Sequence, residues 1–431
     1  MRGDKRMNRE LLDFINSSPT PFQAVDNISK MLEKAGYIRL NEGGSWSLER
    51  GKGYFVTRNL SSVIAFRVPT EGFSGFMITA SHCDSPAFKL REKAETEDSR
   101  FTRLSVEGYG GMIYSTWLDR PLGVAGRVIV KNPSGIETRL ADLGGEVCLI
   151  PNVAIHMNRS VNKDTNYNPA VDLQPLYSMK GSGKSLRARA AEAAGAAEED
   201  IIACDLFLYN PQKGVEWGDF ISAPRLDDLQ CAYSSVAAFL SSKGGSAVPV
   251  CAVFDNEEVG SHTKQGAAST FLKATLTRVA DFLGCGLDSA LASSLMLSCD
   301  NAHSVHPNHP EYADKNEAPV LNGGVVVKFN AAQKYTSDAV SYALFKMIAE
   351  EAGAEIQLYA NRPDIPGGGT LGNIANTQVS LNTVDIGLPQ LAMHSSFETA
   401  GAKDTETMIK TLRLFFEKSV KAGKDGEYQL S

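Results

Sequence analysis

The chain has 431 residues, of which 43 are Lys or Arg and 50 are Asp or Glu, so its net charge is −7. This length predicts two or three domains around a large core, and 43% hydrophobic with 22% charged residues is a globular composition rather than a disordered one. The shortage of basic residues argues against nucleic acid as a partner, and no apolar run approaches the ~20 residues that span a bilayer, which argues against a membrane.

The beginning of the chain and its cysteines indicate a cytoplasmic protein. The first 14 residues carry charges without a following apolar stretch, so we expect no secretory signal, and Met7 is an alternative start. The seven cysteines are scattered, odd in number and free of any CxxC pair, which favours a reducing compartment. Cys83 and Cys299 lie beside residues that could bind metal, but we expect both cysteines to be buried packing residues.

The first half of the chain changes character twice. Thr20 and Pro21 predict the start of a helix, and apolar runs at residues 62–68 and 75–80 predict two strands. From about residue 90 to 215, short β-rich runs alternate with Gly, Pro and Asn, and a segment rich in Ala, Gly and charge at 179–200 predicts a surface helix or loop. We therefore divide the chain into a first domain part at 1–90, an inserted β-rich domain at 91–215 and a second domain part at 216–431.

The second half alternates helices with strands. The pattern predicts helices at 228–242, 264–283, 338–351 and 405–418, and strands at 248–254, 295–299, 356–359 and 379–386. Such alternation is typical of an α/β layer with a largely parallel sheet. Active sites in these sheets lie at the carboxyl ends of the strands, so the polar residues that follow strands are the first candidates.

Five segments that end strands or form turns carry side chains able to bind metal. They are His82 with Asp84, Asp227 with Asp228, Glu257 with Glu258, Asp300, and His394. Carboxylates and imidazoles without thiolates are typical of hydrolytic sites with two cations, in which one carboxylate can bridge the pair. The spacing of His82 and Asp84 also fits a carboxylate that orients the imidazole.

Glu257 and Glu258 follow an apolar run, and adjacent acids repel each other unless a cation or a proton relieves the repulsion. One of them could bind metal while the other handles protons. A solvated acidic turn is the alternative, and spacing alone does not choose between the two.

Six motifs, taken in order, resemble the signature of the aspartyl aminopeptidase family of dinuclear zinc metallopeptidases, whose relatives include vacuolar aminopeptidase. The motifs are SHCDSP, PRLDD, DNEEVGS, CDNAHSVHPNHP, VVVKFNAAQKYTSDAVS and PQLAMHS. The resemblance runs from about residue 9 to 420. It implies an α/β, zinc-peptidase-like mixed sheet flanked by helices, with the inserted β-rich domain serving oligomerisation.

The resemblance also implies roles for the candidate residues. His82, Asp227 and Asp300 match the ligands of one divalent ion, Glu258 and His394 hold the second, and Asp227 bridges the two. Glu257 matches the general base, which takes a proton from the attacking water, and Asp84 supports His82. The two ions are expected to be zinc, although nitrogen and oxygen ligands also suit cobalt and manganese.

Three further residues are expected to bind substrate. Lys328 matches a family lysine that favours an acidic first residue, and His156 matches a histidine that reaches the active site of a neighbouring subunit. His306, with His303 close by, follows Asp300 in a segment that lines the active site in the family. Residues 366–370 depart from the pattern of many relatives, so a neutral or hydrophobic first residue stays open.

The expected function is removal of the first residue, preferably Asp or Glu, from short peptides by a homo-oligomer in which dimers assemble into a dodecamer. Two alternatives stay open: the same metal site acting on N-acetylated substrates, as in related deacetylases and carboxypeptidases, and an inactive oligomeric scaffold. Residues 367–372 match GxGxxG, but Pro363 and Pro366 precede the glycines where a dinucleotide site needs a tight strand-to-helix turn. We read those glycines as a wall of the substrate cleft.

Overall fold

The structure, a computed structural model, describes the backbone from Arg2 and the side chains from Arg6 to Ser431. Met1, which opens the predicted 1–90 segment, lies outside the described residues. Within these bounds the α-helices are α1 (Arg2–Asn16), α2 (Pro21–Lys34), α3 (Leu186–Ala194), α4 (Leu226–Ser241), α5 (Phe271–Phe282), α6 (Leu287–Ala292), α7 (Ala339–Glu351), α8 (Leu371–Ala375) and α9 (Asp404–Glu417).

The strands of the same residues fall into four sheets. They are β1 (Ile38–Leu40), β2 (Gly53–Arg58), β3 (Ser62–Arg67), β4 (Phe76–His82), β5 (Ala87–Glu97), β6 (Phe101–Tyr109), β7 (Pro121–Asn132), β8 (Gly135–Asp142), β9 (Cys148–Leu149), β10 (Leu176–Met179), β11 (Ile201–Tyr209), β12 (Val215–Trp217), β13 (Phe220–Ala223), β14 (Val248–Phe254), β15 (Leu295–Cys299), β16 (Ala302–His303), β17 (Val325–Phe329), β18 (Ile356–Ala360), β19 (Asn382–Gly387), β20 (Pro389–Leu391), β21 (Glu398–Gly401), β22 (Val420–Ala422) and β23 (Tyr428–Leu430).

A mixed sheet of nine strands forms the central layer, in the order β1-β2-β3-β14-β4-β15-β19-β17-β18. Its middle strands β14, β4, β15 and β19 are parallel, while β2 and β3 form an antiparallel hairpin at one side. Because the middle strands are parallel, their carboxyl ends lie on one edge of the sheet. The prediction of a mixed sheet flanked by helices is confirmed.

Both faces of this sheet are covered, which is why its middle strands are continuous apolar runs rather than alternating ones. In β4, Met77 packs into the core on one face, whereas Phe76 and Ile78 pack into the core on the other. Helices α1, α2, α4, α7 and α9 contribute to the first core, and α5, α6 and α8 contribute to the second.

A second sheet lies between β4 and β14 in the sequence, in the order β11-β5-β6-β10-β9-β7-β8. Pairing of β11 with β7 closes it into an antiparallel barrel. Leu104, Leu122 and Val128 are fully buried inside it. The predicted helix or loop at 179–200 contains α3, which ends at Gly195 in the left-handed conformation. The predicted boundaries at 91 and 215, and a role in oligomerisation, stay predictions.

A third sheet, in the order β12-β13-β21-β20-β16, borders the carboxyl edge of the central sheet. Its strand β13 comes just before α4 in the chain, and its strands β20 and β21 flank the segment that carries His394, so the sheet brings two distant segments to that edge. Its strands are two to four residues long, too short for periodicity to predict. No helix formed by residues 2–431 is long and apolar enough to cross a membrane.

Candidate metal centre

Three of the predicted ligand segments meet at the carboxyl edge of the central sheet. His82 ends β4, the turn after β14 carries Glu257 and Glu258, and Asp300 follows β15. They lie side by side because these three strands are parallel neighbours, with Phe254 paired to His82. The ligand segments at the start of α4 and after β20 complete the site with Asp227 and His394.

The side chains form two groups that share one carboxylate. Nε2 of His82 lies 3.5 Å from Oδ1 of Asp227 and 3.7 Å from Oδ1 of Asp300. Nε2 of His394 lies 3.5 Å from Oδ2 of Asp227 and 3.4 Å from Oε2 of Glu258. Tetrahedral ligands at about 2.0–2.2 Å from a zinc ion are about 3.3–3.6 Å apart, so both spacings suit a cation. Asp227 faces both positions with different oxygens.

Unpaired buried oxygens show that these residues fit metal ions. Oδ1 of Asp227 and Oε1 of Glu258 are buried, and neither accepts a hydrogen bond from the described residues. Such atoms are costly unless a cation or a proton occupies the space they face. The donor set of imidazole nitrogens and carboxylate oxygens is one that zinc accepts.

The close packing of several buried acids at this site also shifts the pKa values of Glu257 and Glu258. Burial, together with the charges of Asp300 and Asp84, raises the pKa of Glu257 to about 8 against the opposing effect of His82. Burial also raises the pKa of Glu258 well above its ordinary value. Divalent ions beside these acids would favour their charged forms and so lower these pKa values.

Carboxylates outside the ligand set orient the ligands. Nδ1 of His82 lies 3.0 Å from the backbone oxygen of Asp84 and 3.4 Å from its Oδ1, which leaves Nε2 free to face the metal position. Asp84 thus lies beside the ring that it is predicted to support, and its role stays a prediction. Asp228 accepts the backbone N–H of His82 at 3.1 Å.

Sequence reasoning missed Glu398, which is 2% exposed. Its carboxylate accepts the backbone N–H of Asp227 at 3.0 Å and that of His394 at 2.8 Å. Burial raises the pKa of Glu398 to about 8, with a further contribution from the charge of Asp227. It lies on a four-residue strand after the PQLAMHS motif, and no spacing rule would have selected it.

Lys328 lies inside the protein rather than at a solvated strand end, with 2% of its surface exposed. Its Nζ donates to the backbone oxygens of Asp300 at 2.9 Å and Asn301 at 3.2 Å. A third contact joins Nζ to Oδ2 of Asp300 at 3.4 Å. The three ammonium hydrogens thus all have acceptors within the chain.

The ligands line a cavity of about 340 Å³, together with His303, Lys328, Tyr335, Tyr359 and the backbone of residues 368–370. The glycine-rich segment is therefore a wall of this cavity. His306 lies instead in an adjoining cavity of about 410 Å³, and His303, Tyr359 and Gly368 line both spaces. Of the two predicted histidines, His303 is the nearer to the ligands.

His156 lies away from these cavities in its own chain. It is exposed, in the irregular segment between β9 and β10, and makes no hydrogen bond or ring contact among the described residues. Its predicted reach into a neighbouring subunit stays a prediction. The seven cysteines are free thiols, and both Cys83 and Cys299 are buried as expected.

The chain is similar to known proteins over most of its length. A family model described as aminopeptidase I zinc metalloprotease (M18) matches residues 14–416. A probable M18 family aminopeptidase 2 of Clostridium acetobutylicum is 41% identical over 432 aligned positions, covering 96% of this chain and 100% of that protein.

Solved structures are similar over nearly the whole chain. The cryo-EM structure of an Ape4 and Nbr1 complex contains a chain with a TM-score of 0.92 and 33% identity, covering 96% of this chain and 86% of that one. The structure of the S. cerevisiae mApe1 dodecamer gives a TM-score of 0.84 and 27% identity, with 96% and 97% covered.

Proposed function

The chain belongs to the M18 family of aminopeptidase I zinc metalloproteases and is a metal-dependent aminopeptidase. We propose that it removes the first residue of short peptides with two divalent ions and Glu257. The observation that carries the proposal is the pair of ligand groups sharing Asp227, with Glu257 in the same cavity. The cavity volume of about 340 Å³ lies at the small end of the ~300–1,000 Å³ typical of small-ligand pockets, which suits one residue at a chain end.

His82, Asp227 and Asp300 would hold one ion, and Asp227, Glu258 and His394 would hold the other. Zinc is the expected metal, with cobalt and manganese as alternatives. Bound there, the ions supply Lewis acidity to water and to the peptide carbonyl.

Glu257 carries the proton chemistry in this proposal. Its carboxylate has an oxygen within 4.8 Å of ligand atoms of His82 and Glu258, yet the two ligand groups are complete without it. Glu257 takes a proton from the attacking water and later gives it to the leaving amine. The neutral amine then departs as the shortened peptide.

Lys328 supports a preference for an acidic first residue. It places a buried positive charge in the wall of the cavity, and a cation there attracts the side chain of Asp or Glu. Its three hydrogens, however, already have acceptors, which favours a second candidate: the same enzyme preferring a neutral or hydrophobic first residue.

Nitroanilides of Asp, Glu, Leu and Lys, assayed on the zinc-loaded enzyme, decide between these candidates. We expect the Asp and Glu substrates to be cleaved fastest. Glu257→Gln is the matched control: it should keep its zinc and lose at least about 100-fold in kcat, since general base catalysis contributes ~10²–10⁴-fold. Fastest cleavage of Leu establishes the second candidate, and full activity of the control removes Glu257 from the mechanism.

The chain is also proposed to act as a homo-oligomer, in which dimers form a dodecamer and His156 completes a neighbouring site. The similarity to the S. cerevisiae mApe1 dodecamer supports this. So do apolar side chains exposed near His156, with exposures of 53% for Val153, 45% for Ile155 and 82% for Met157. The free thiols are consistent with the proposed cytoplasmic location.

A further inference from the structure

One segment of the barrel crosses the metal centre. The chain leaves the barrel strand β6 at Tyr109 and continues through Ile113 before a 3-10 turn at Tyr114–Trp117. We call residues 109–113 the brace. Tyr109 still pairs with Ala87 in the barrel, but Tyr109, Gly111 and Ile113 also make polar contacts with the ligand segments of the central and third sheets.

Tyr109 is the first contact of the brace. Its hydroxyl donates to Oδ2 of Asp84 at 2.7 Å and accepts a hydrogen bond from Nδ2 of Asn256 at 2.8 Å. The burial and the neighbouring charge of Asp84 raise the pKa of Tyr109, so the hydroxyl keeps its proton and remains a donor.

Asp84 links Tyr109 to the residues of the metal site. It is fully buried, and its two oxygens accept the backbone N–H groups of Glu257 and Glu258 at 3.1 Å each. Its Oδ1 also lies 3.4 Å from Nδ1 of His82. Removing the Tyr109 hydroxyl would leave a buried carboxylate with one donor fewer, and that carboxylate would be free to turn.

The remainder of the brace contacts Glu258 and His394. A side chain at Gly110 would meet Cβ of Glu258 at 3.1 Å, so the backbone passes directly against this ligand. The backbone oxygen of Gly111 accepts from Nδ1 of His394 at 2.8 Å, which directs Nε2 of that ring toward Asp227 and Glu258. Ile113 donates its N–H to the backbone oxygen of His394 at 3.0 Å.

We propose that the brace makes the barrel a working part of the metal centre of its own subunit, with Tyr109 as a positioning residue that holds Asp84, and through it His82 and Glu258, in place to bind metal. The inference rests on the proposed two-metal function. It differs from a role in oligomerisation because every contact lies within one chain. Tyr109 acts through Asp84 and touches none of the predicted metal ligands by hydrogen bond among the described residues.

Tyr109→Phe tests the proposal with a readout independent of turnover. We expect zinc to be held about 10–100-fold less tightly in competition with a chromophoric chelator, the usual effect of losing a partner of a ligand. The visible spectrum of the cobalt-substituted variant should shift, because the ligands reorient. kcat should fall while KM stays close to that of the wild type.

Tyr209→Phe is the matched control. Tyr209 is another barrel tyrosine, and its hydroxyl donates to Oδ1 of Asp142 at 3.0 Å rather than to a neighbour of the predicted ligands. It should bind zinc like the wild type. Equal melting temperatures of the two metal-free variants would show that Tyr109→Phe leaves the fold intact.

A double variant separates an effect through Asp84 from a general loss of stability. If Tyr109 acts through Asp84, Tyr109→Phe with Asp84→Asn should weaken zinc binding no more than Asp84→Asn alone. Additive losses, or wild-type zinc affinity and cobalt spectrum in Tyr109→Phe, would overturn the proposal. A wild-type protein that binds fewer than two ions would contradict the proposed function instead.

Discussion

Gly387 shows how one missing side chain lets two strands meet at the metal centre. It ends β19, beside the backbone of Asp300 after β15. A Cβ at this position would lie 1.8 Å from the backbone oxygen of Asp300, the same atom that accepts from Lys328. No rotamer change relieves a clash between Cβ and backbone, so the position demands glycine.

Gly387→Ala is therefore expected to displace Asp300. We expect a loss of about 1–3 kcal/mol in the free energy of unfolding, the typical cost of overpacking, together with less bound zinc. Urea unfolding and metal analysis measure the two effects. Gly43→Ala is the control, because its Cβ would meet only Oδ1 of Asn41 at an ordinary 3.7 Å. Normal stability and zinc content in Gly387→Ala would show that the backbone can give way.

At the level of single residues, sequence reasoning selected the side chains that the structure brings together and one neighbour, Asp84, but not Glu398 or Tyr109. His82, Glu257, Glu258 and Asp300 directly follow apolar runs, so strand prediction alone singles them out. Glu398 and Tyr109 each make a hydrogen bond to a residue distant in the sequence, Glu398 to Asp227 and Tyr109 to Asp84. Such contacts exist only after the chain has folded, and no local pattern encodes them.

At the level of elements, the barrel is fixed to the central domain by a few polar contacts. Nε2 of Gln23 in α2 donates to the backbone oxygen of Gly126 at 2.9 Å. The guanidinium of Arg127 donates to the backbone oxygen of Asn59 at 2.7 Å and pairs with Asp205 at 2.9 Å. It also lies over the ring of Phe22, 4.4 Å from its centroid. These contacts join the barrel, from which the brace extends, to α2 and to the turn after β2.

Asp205→Asn should reveal this attachment through its pH dependence. Although burial opposes the shift, Lys89 and Arg127 hold the pKa of Asp205 below its ordinary value. The carboxylate therefore stabilises the fold above the unfolded pKa of about 3.9, and that stability is lost as the pH falls through the lower folded pKa. We expect the variant to be less stable by about 1 kcal/mol at pH 7, with the difference vanishing at strongly acidic pH.

Urea unfolding over a pH series measures this difference. The control is Glu192→Gln, which breaks an ion pair with Lys184 whose side chains are 66% and 64% exposed, so little change is expected. A pH-independent difference in Asp205→Asn would mean that its effect is steric rather than electrostatic.

Element prediction succeeded where burial decides and failed where long-range contacts decide. The predicted strands at 248–254 and 295–299 match β14 and β15 because both are buried on two faces. The helix predicted from residue 264 begins only at Phe271 in α5. Residues 263–270 form turns instead, and Thr263 and Gln265 donate to Oδ1 of Asn256 in the metal-site turn. The periodicity of apolar residues carries no information about these hydrogen bonds, so it placed the start of the helix too early.

At the level of the whole molecule, the proposal that His156 serves a neighbouring subunit predicts complementation. His156→Ala and Glu257→Gln should each be inactive or nearly so with zinc retained. Co-expressed, they should regain part of the wild-type activity, because a subunit carrying Glu257 can receive His156 from its neighbour. Light scattering should show the same mass for all the proteins. No recovery in verified mixed oligomers would contradict the sharing of His156.

The order of the proposed ligands along the chain determines when the metal site can form during synthesis on the ribosome. The strands of the barrel all lie between Ala87 and Tyr209, so the barrel can fold while the rest is still being translated. The ion positions need residues from His82 to His394, and neither His394 nor its support Glu398 emerges until the end of synthesis is near. The barrel and its brace are therefore synthesised before the chain can complete the proposed metal site, and an unfinished chain lacks the proposed ligand His394.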